Sequence, residues 1–299
     1  MLNLKEISNQ LKTLREFKVE EYLNKKVLAI NNFFYLNNLD AAVIGISGGI
    51  DSALSIRLLK EAHIQKDSPL KKILGLVMPI KGNGTTGQDE AMEKAIRFME
   101  VEQIDYLIAD LTSPYNEYLS VNKQDTTPWT NGQLASIVRT PYIYFQAAYL
   151  QQQGYKSLVV GTTNRDEGSY IGFFGKASDA MVDLQPIADI HKTEVYELAK
   201  HLNIYEDIIK STPRGDVWDG KIDEEMIGAP YWFLEIYLLI KEYNKFDIIE
   251  HLSLNEKELY LKYSRAIENI HSKNAHKYKV GNPAHFIDVM NRKIPGGWN

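Results

Sequence analysis

A six-residue segment rich in glycine and serine has the composition of a phosphate-binding loop. It reads Ser47–Gly48–Gly49–Ile50–Asp51–Ser52 and separates the apolar run 41–46 from a segment with helical spacing of apolar residues. Glycines let the backbone approach a phosphate, and the N–H groups at a helix start favour an anion. The serine hydroxyls add donors, and the Asp51 carboxylate can hold Mg²⁺ against phosphates. No lysine follows the two glycines, so the segment is not a GxxxxGK[ST] loop. The alternative to a phosphate-binding loop is an ordinary strand-to-helix turn.

More polar residues follow a later apolar run, residues 157–160. The segment 161–167 reads GTTNRDE and contains Thr162 and Glu167. Farther along stand other side chains that could contact a charged ligand: Lys176, Asp183, Lys192, Arg214, His276 and Lys277.

Some of these residues have a structural alternative. Lys192 stands at the start of a predicted helix, where its charge opposes the helix dipole, so a functional role is favoured over a solvated lysine. Asp51 and Asp183 could instead be helix caps or turn residues. Trp218 is interpreted as core packing.

The elements that position these residues alternate along the chain. Short β-branched apolar runs predict strands at 41–46, 73–78, 106–111 and 157–160, with a fifth element within 182–190. Helical spacing predicts helices over 11–36, from 54 onward, over 89–98 and 137–153, and around 195–202. This alternation predicts an α/β fold, a doubly wound and mostly parallel sheet with helices on both faces. Because ligands bind at the carboxyl ends of such strands, the polar residues should meet there. Neither a repeat nor a low-complexity linker interrupts the sequence, so one domain over 1–299 is expected.

Composition excludes several functional classes. Lys and Arg number 34 against 39 Asp and Glu, a net charge of −5, which disfavours a phosphate-neutralising nucleic-acid binder. The absence of cysteine excludes disulfides, thiolate metal sites and a cysteine nucleophile. The first residues lack a signal-peptide pattern, and the densest apolar stretch, 231–240, is short and contains Glu235. We therefore expect a cytoplasmic protein that acts on small molecules, without nucleic-acid or membrane partners.

The motifs resemble those of a known family. Residues 47–52 resemble the signature loop of the N-type ATP pyrophosphatases, which cleave ATP between the α and β phosphates. The later segments resemble the NAD synthetase family, whose pattern runs GT-x-N-[KR]-x-E, GYFTKYGDG-x-x-D, PI-x-x-L-x-KT and PSADLW-x-GQTDE. Here the corresponding residues are 161–167, 172–183, 186–193 and 213–224, and His276–Lys277, Pro283 and Phe286 resemble the closing segment. The resemblance covers residues 41 to 286 in conserved order and implies the adenine nucleotide alpha-hydrolase-like fold.

The resemblance implies an ATP-dependent amidation. The carboxylate of deamido-NAD (nicotinic acid adenine dinucleotide) would be adenylated with release of pyrophosphate, and ammonia would then displace AMP to form NAD. Mg²⁺ and positive charge would stabilise the departing pyrophosphate. Glutamine-using members carry a further domain with a catalytic cysteine, so free ammonia is the expected nitrogen donor.

Residue roles follow from the resemblance by position. Asp51 and Lys192 would be catalytic, and Asp51 and Glu167 would bind Mg²⁺. The residues that would bind ATP are Ser47, Gly48, Gly49, Ile50, Asp51, Ser52, Thr162, Lys192 and Arg214. Those that would bind the acyl substrate are Arg139, Tyr142, Lys176, Asp183, His276 and Lys277. The resemblance also implies a homodimer in which the helix 137–150 makes the contact, although that helix could be plain core.

The sequence departs from the family pattern on the acyl-substrate side. Tyr142 and Tyr144 occupy the positions of an R-x-R pair, and Arg139 lies one helical turn upstream. Arg214 replaces a small hydroxyl residue, and one residue is inserted between Glu167 and Phe173. Three hypotheses therefore remain: an ammonia-dependent NAD synthetase, a paralogue that amidates a different carboxylate, and a nucleotide-binding protein without turnover. Retention of Asp51, Glu167, Lys176 and Lys192 disfavours the third.

Overall fold

A computed structural model describes residues 2–81, 87–122, 124–211, 222–278, 285–286 and 289–290. Its α-helices are α1 Leu4–Arg15, α2 Val19–Leu36, α3 Ile50–His63, α4 Gln88–Glu102, α5 Thr112–Val121, α6 Pro128–Gln152, α7 Arg165–Gly168, α8 Lys192–His201, α9 Glu206–Ile209, α10 Asp223–Ile227, α11 Tyr231–Tyr243 and α12 Leu254–Asn274. Its strands are β1 Ala41–Gly45, β2 Lys72–Val77, β3 Asp105–Ile108, β4 Ser157–Val160, β5 Leu184–Gln185 and β6 His285–Phe286. Two 3₁₀ helices cover Phe246–His251 and Ala275–Tyr278.

The strands form one parallel sheet in the order β3-β2-β1-β4-β5-β6. The chain runs outward in one direction from β1 and in the other from β4, so the order reverses between these two strands. Ligands of doubly wound sheets bind in the crevice at such a reversal, beyond the carboxyl ends of the strands. The predicted fold class is confirmed, and both polar segments of the sequence follow the strands at this crevice.

The strands β1, β2 and β4 are buried on both faces, as their continuous apolar sequences indicate, whereas the edge strand β3 is largely exposed. Ala42 and Ile44 of β1 join a cluster with α2, α3 and α8, whereas Ala41 and Val43 join a cluster with α5 and α6. This alternation is the two-residue period of a strand whose opposite faces each contact a helical layer. A third cluster packs α1 against α11 and α12.

Several predicted boundaries are wrong by three residues or more. The helix expected over residues 11–36 is two helices, because Glu16 takes a left-handed conformation (φ 51°) that ends α1 and lets α2 begin at Val19. The strand expected to run to residue 111 ends at Ile108. The helix expected from residue 137 begins at Pro128, where Thr127 forms a capping box and proline suits the first turn.

None of the described helices is both long and apolar enough to cross a membrane.

Candidate active site

The loop after β1 is shaped for close approach of a ligand. Gly48 has φ 80°, and a Cβ there would lie 2.3 Å from the carbonyl oxygen of Ala91, so only glycine fits. The Ser52 hydroxyl donates to the carbonyl oxygen of Gly49 (3.0 Å) and lies 3.2 Å from the Ser47 hydroxyl. The 14-residue helix α3 begins directly afterwards at Ile50, so the predicted phosphate loop occupies a helix N-terminus at the strand-order reversal.

Asp51, Glu167 and Lys192 meet in one ionic cluster. The Lys192 Nζ donates to Asp51 Oδ2 (2.5 Å) and to Glu167 Oε1 (3.3 Å), and it lies 4.9 Å from the ring centre of Tyr231. Asn164 donates from Nδ2 to Asp51 Oδ1 (3.0 Å). Three residues predicted from separate motifs therefore contact one another where β1 and β4 end.

The geometry excludes two of the structural alternatives. The Lys192 side chain is only 3% exposed, so it is not a solvated lysine. Gly49 is the N-cap of α3, and both Asp51 carboxylate oxygens accept from side chains, so Asp51 is not a helix cap.

Further side chains complete the cluster. The Tyr231 hydroxyl lies 2.9 Å from Glu167 Oε1 and 3.3 Å from Asp223 Oδ2, donating its single proton to one of them. Burial raises the pKa of Glu167 to about 8, with the charges of Asp51 and Asp223 adding to the effect and Lys192 opposing it. Burial alone would lower the pKa of Lys192, but Asp51 and Glu167 raise it above its ordinary value. The ammonium therefore stays charged.

The donor set fits Mg²⁺ only together with a ligand. Among the residues that the structure describes, no group of three or more His, Cys, Asp or Glu side chains is arranged to hold a metal ion. Asp51 and Glu167 nevertheless converge on one point, the Lys192 ammonium. Because Mg²⁺ in nucleotide sites is held by one or two carboxylates plus phosphate oxygens, these two side chains fit such an ion.

A cavity of about 190 Å³ lies beside the phosphate loop. Ser47, Ser52 and Thr162 line it together with apolar residues from the ends of β2 and β4. Arg139 lines it as well, and its Nε donates to the carbonyl oxygen of Met78 (3.1 Å). The structure thus places Arg139, expected on the acyl-substrate side, in the same cavity as three residues expected to bind ATP.

The other residues expected to bind the acyl substrate lie apart from the ionic cluster. Lys277 donates from Nζ to the carbonyl oxygens of Gly172 (2.7 Å) and Phe174 (2.5 Å). The Asp183 carboxylate accepts from the backbone N–H of Val159 in β4 (2.8 Å), a contact across 24 residues of chain rather than within a turn.

Three of these side chains are exposed or only half-buried. Lys176 and His276 are exposed, and Tyr142 is half-buried with its ring 6.3 Å from that of Phe145. Arg214 and Trp218 lie outside the described residues.

Sequence reasoning missed Tyr231 and Asp223. In the sequence, Tyr231 is only the first residue of an apolar stretch that follows Pro230. Its position at the start of α11, which brings its hydroxyl to the site, has no local signal. Asp223 stands in the motif 213–224 and is followed directly by Glu224. Nothing in the sequence favoured one of these two carboxylates over the other.

Comparison with known proteins places the chain in a family. A model of the NAD synthase family matches residues 22–281. This chain belongs to the NAD synthase family. The resemblance seen in the motifs is thereby confirmed, and so is the expectation of an ATP-dependent ligase.

Relatives of this NAD synthase-family chain cover most of its length. An NH(3)-dependent NAD(+) synthetase of Carboxydothermus hydrogenoformans is 34% identical over 205 residues, which are 69% of this chain and 79% of the relative. Among solved structures, an NMN synthetase from Francisella tularensis has a TM-score of 0.71 and 26% identity, covering 89% of this chain and 98% of that one. An NH3-dependent NAD synthetase from Campylobacter jejuni has a TM-score of 0.67 and 25% identity at the same coverage.

Proposed function

We propose that this chain is an ammonia-dependent NAD synthetase. The observation that carries the proposal is the contact of Asp51, Glu167 and Lys192 beside a glycine loop at the helix N-terminus of α3. A site for adenylation must receive triphosphate and neutralise the pyrophosphate that leaves, and this arrangement supplies acidic metal ligands, an ammonium and backbone N–H groups.

The reaction has two steps. A carboxylate oxygen of deamido-NAD attacks the α-phosphorus of ATP, and the bond to the bridging oxygen breaks with release of pyrophosphate. Ammonia then attacks the acyl carbon, AMP leaves with the bonding electrons, and the nitrogen loses a proton to give the amide. Adenylation is needed because a carboxylate has no stable leaving group for direct attack by ammonia.

The residues of the nucleotide site have distinct roles in this scheme. Ser47 and the backbone of 47–52 bind phosphate oxygens, and Thr162, which lines the same cavity, also contacts ATP. Lys192 orients the carboxylates and meets the negative charge of the triphosphate, since its ammonium stays protonated. Asp51 and Glu167 would hold Mg²⁺, which when bound offsets the charge that develops on pyrophosphate.

The acyl substrate would lie toward the loop 172–176. Lys176, Asp183, His276 and Lys277 are the proposed contacts there, with Arg139 and Tyr142 on α6. Arg214 is a further proposed ATP contact. The geometry supports this side less directly, because Lys277 and Asp183 already bond to backbone groups.

We also propose a homodimer built on α5 and α6. These helices expose Tyr118, Val121, Ile137, Phe145 and Tyr149, whose side chains are 57%, 75%, 42%, 60% and 46% exposed. Large apolar side chains exposed on neighbouring helices are typical of a protein interface. The cytoplasmic location expected from the sequence stays a prediction.

A second candidate differs only in the acid that is amidated. The NMN synthetase of Francisella tularensis is among the structural neighbours, and Tyr142 and Tyr144 stand where the family pattern has arginines. A mononucleotide acid has one phosphate fewer than deamido-NAD, so it needs fewer cations to bind. In this alternative, the nucleotide site works identically and the product is NMN.

A turnover assay separates the candidates. Purified chain is incubated with ATP, Mg²⁺, ammonium and either deamido-NAD or nicotinic acid mononucleotide, and AMP and the amide are followed together. The proposal expects preferred use of deamido-NAD, whereas preferred use of the mononucleotide moves the assignment to the second candidate. Glutamine in place of ammonium, with ammonia scavenged, should give no product, because the chain has no cysteine to form a thioester. Absence of AMP with either acid would overturn both.

A further inference from the structure

Two of the charged residues that meet at the site, Glu167 and Lys192, come from different elements. Glu167 lies on α7, in the loop after β4, and Lys192 is the first residue of α8. Their contact, 3.3 Å from Nζ to Oε1, depends on how the loop is held against the start of α8.

One buried carboxylate joins these elements. Asp166 is 0% exposed, and its Oδ1 lies 2.7 Å from His191 Nδ1. Its Oδ2 accepts from the backbone N–H of Lys192, also at 2.7 Å. Asp166 is the chain neighbour of Glu167, and its two partners are Lys192 itself and the residue before it. A displacement of Asp166 would therefore move Lys192 relative to Glu167.

The remaining contacts hold the same elements without touching Lys192. The backbone N–H of Arg165 donates to the carbonyl oxygen of Ile190 (2.9 Å). From α1, the buried Arg15 donates from Nε and Nη2 to the two carboxylate oxygens of Glu194 (2.8 and 3.0 Å) and thereby anchors the first turn of α8. These contacts should keep the fold intact when Asp166 is changed.

We propose that Asp166 is a positioning residue, whose carboxylate fixes the start of α8 against the 161–167 loop and so sets the Lys192 ammonium between Asp51 and Glu167. The inference rests on the proposed function, because it assigns Lys192 and Glu167 their part in adenylation. Asp166 acts through its neighbours and needs no contact with a substrate. Alignment of reacting groups is sensitive to small displacements, so a kinetic effect should exceed any effect on folding.

The test compares two buried carboxylates that serve the same loop. Asp166→Asn keeps the shape but removes the negative charge and replaces one acceptor oxygen with a donor. One of the two contacts is therefore either broken or becomes an uncharged hydrogen bond in which the amide donates to His191 Nδ1. Glu242→Gln is the matched control: it weakens the buried pair of Glu242 with Arg165 (2.9 Å), which ties the loop to α11 rather than to α8. Turnover, KM for ATP and melting temperature are measured for both variants and the unmodified protein.

We expect Asp166→Asn to lower kcat tenfold to a hundredfold with less than a threefold change in KM for ATP. Glu242→Gln should retain kcat within threefold even if its melting temperature falls further. Turnover of Asp166→Asn within threefold of the unmodified protein, or an equal loss in the control, would overturn the proposal.

A second pair of variants applies if Asp166→Asn does not fold. His191→Asn places an amide nitrogen near the position of Nδ1 and should keep turnover, whereas His191→Leu removes the donor and should lower it at least fivefold. Equal turnover of these two variants contradicts the proposal.

Failure of the proposed function gives a different result. In that case the unmodified protein forms no AMP with either acid, and the positioning role is judged by calorimetric titration with ATP and Mg²⁺. At least tenfold weaker binding by Asp166→Asn but not by Glu242→Gln supports the role, and any other pattern contradicts it.

Discussion

The half of the site proposed to bind the nucleotide and the half proposed to bind the acyl substrate are held together in different ways; they are called the nucleotide half and the acyl half below. In the nucleotide half, formed by residues 47–52, Glu167 and Lys192, charged side chains contact one another and are largely buried. In the acyl half, formed by residues 172–183 and 276–277, the polar side chains bond to backbone groups or face solvent.

This difference follows from what each half must bind. A triphosphate concentrates charge, so its site gathers fixed charges that would be costly to bury unless paired. A substrate that is recognised along its whole length can instead bind to loops whose backbone conformation is fixed by hydrogen bonds. Changes in the nucleotide half should therefore affect the chemical step, and changes in the acyl half should affect substrate affinity.

The largest effect is expected from the carboxylates of the nucleotide half. Asp51→Asn and Glu167→Gln should each lower pyrophosphate release roughly a hundredfold to a thousandfold, because developing charge loses its stabilisation. Circular dichroism should show an intact fold. The measurement is pyrophosphate release at saturating Mg²⁺, and near-normal release by either variant would remove that residue from the metal site.

A variant of Arg139 tests which half of the site this residue belongs to. Arg139→Ala should raise KM for the acid roughly tenfold to a hundredfold and KM for ATP less, since a charged hydrogen bond to phosphate is lost. Arg97→Ala is a suitable control, because Arg97 stacks on Tyr205 (4.4 Å) and does not line the cavity. A larger rise in KM for ATP than for the acid would assign Arg139 to the nucleotide half, whose residues line the same cavity as Arg139.

A smaller effect is expected from the backbone contacts of the acyl half. Lys277→Met removes the donor to Gly172 and Phe174, and should raise KM for the acid about threefold to tenfold because two hydrogen bonds that shape the loop are lost. KM for ATP should stay constant. Lys262→Met, which removes an ammonium near the Tyr263 ring (5.6 Å), is the control and should change neither constant. An equal rise for ATP would mean that the two halves are not independent.

The remaining effects concern stability rather than activity, and they have opposite signs for two carboxylates, Glu235 and Glu268. The Glu235 carboxyl accepts a hydrogen bond from the hydroxyl of Thr193, next to Lys192, and burial raises its pKa to about 7. Because this pKa is raised on folding, ionisation disfavours the folded state, and stability falls as pH rises from 4.5 through about 7. Glu235→Gln should therefore gain free energy of unfolding relative to the unmodified protein over that range, by at most about 3 kcal/mol.

Glu268 behaves oppositely. It accepts from Tyr170, Tyr237 and Lys241, and although burial opposes them, these hydrogen bonds and the Lys241 charge lower its pKa to about 2. Its contribution is present above pH 4.5 and is lost as pH falls toward 2. Glu268→Gln should be less stable than the unmodified protein at pH 7, with a difference that shrinks below pH 4.5. Denaturant unfolding at several pH values measures both variants, and a common sign would show that these surroundings do not set the two pKa values.

Local patterns in the sequence were sufficient to place β1 to β4, apart from the end of β3, and to select the residues proposed for the nucleotide half. The strand 157–160 was predicted to the residue, because a short β-branched run between polar segments has few other conformations. The meeting of the Asp51 and Glu167 loops followed from the rule that parallel strands share one carboxyl edge. The start of α6 was missed because its capping signal, Thr127 before Pro128, precedes the apolar spacing that indicated the helix.

By itself, the sequence determined the alternation of strands and helices and the family, and it predicted the residues proposed for the nucleotide half. Tertiary structure decided which side chains support them. Lys192 reaches Asp51 across 141 residues of chain, Asp166 binds the start of α8, and Tyr231 arrives from α11. Such partners leave no local pattern, because their contact depends on how separate helices pack against the sheet rather than on the conformation of their own segment.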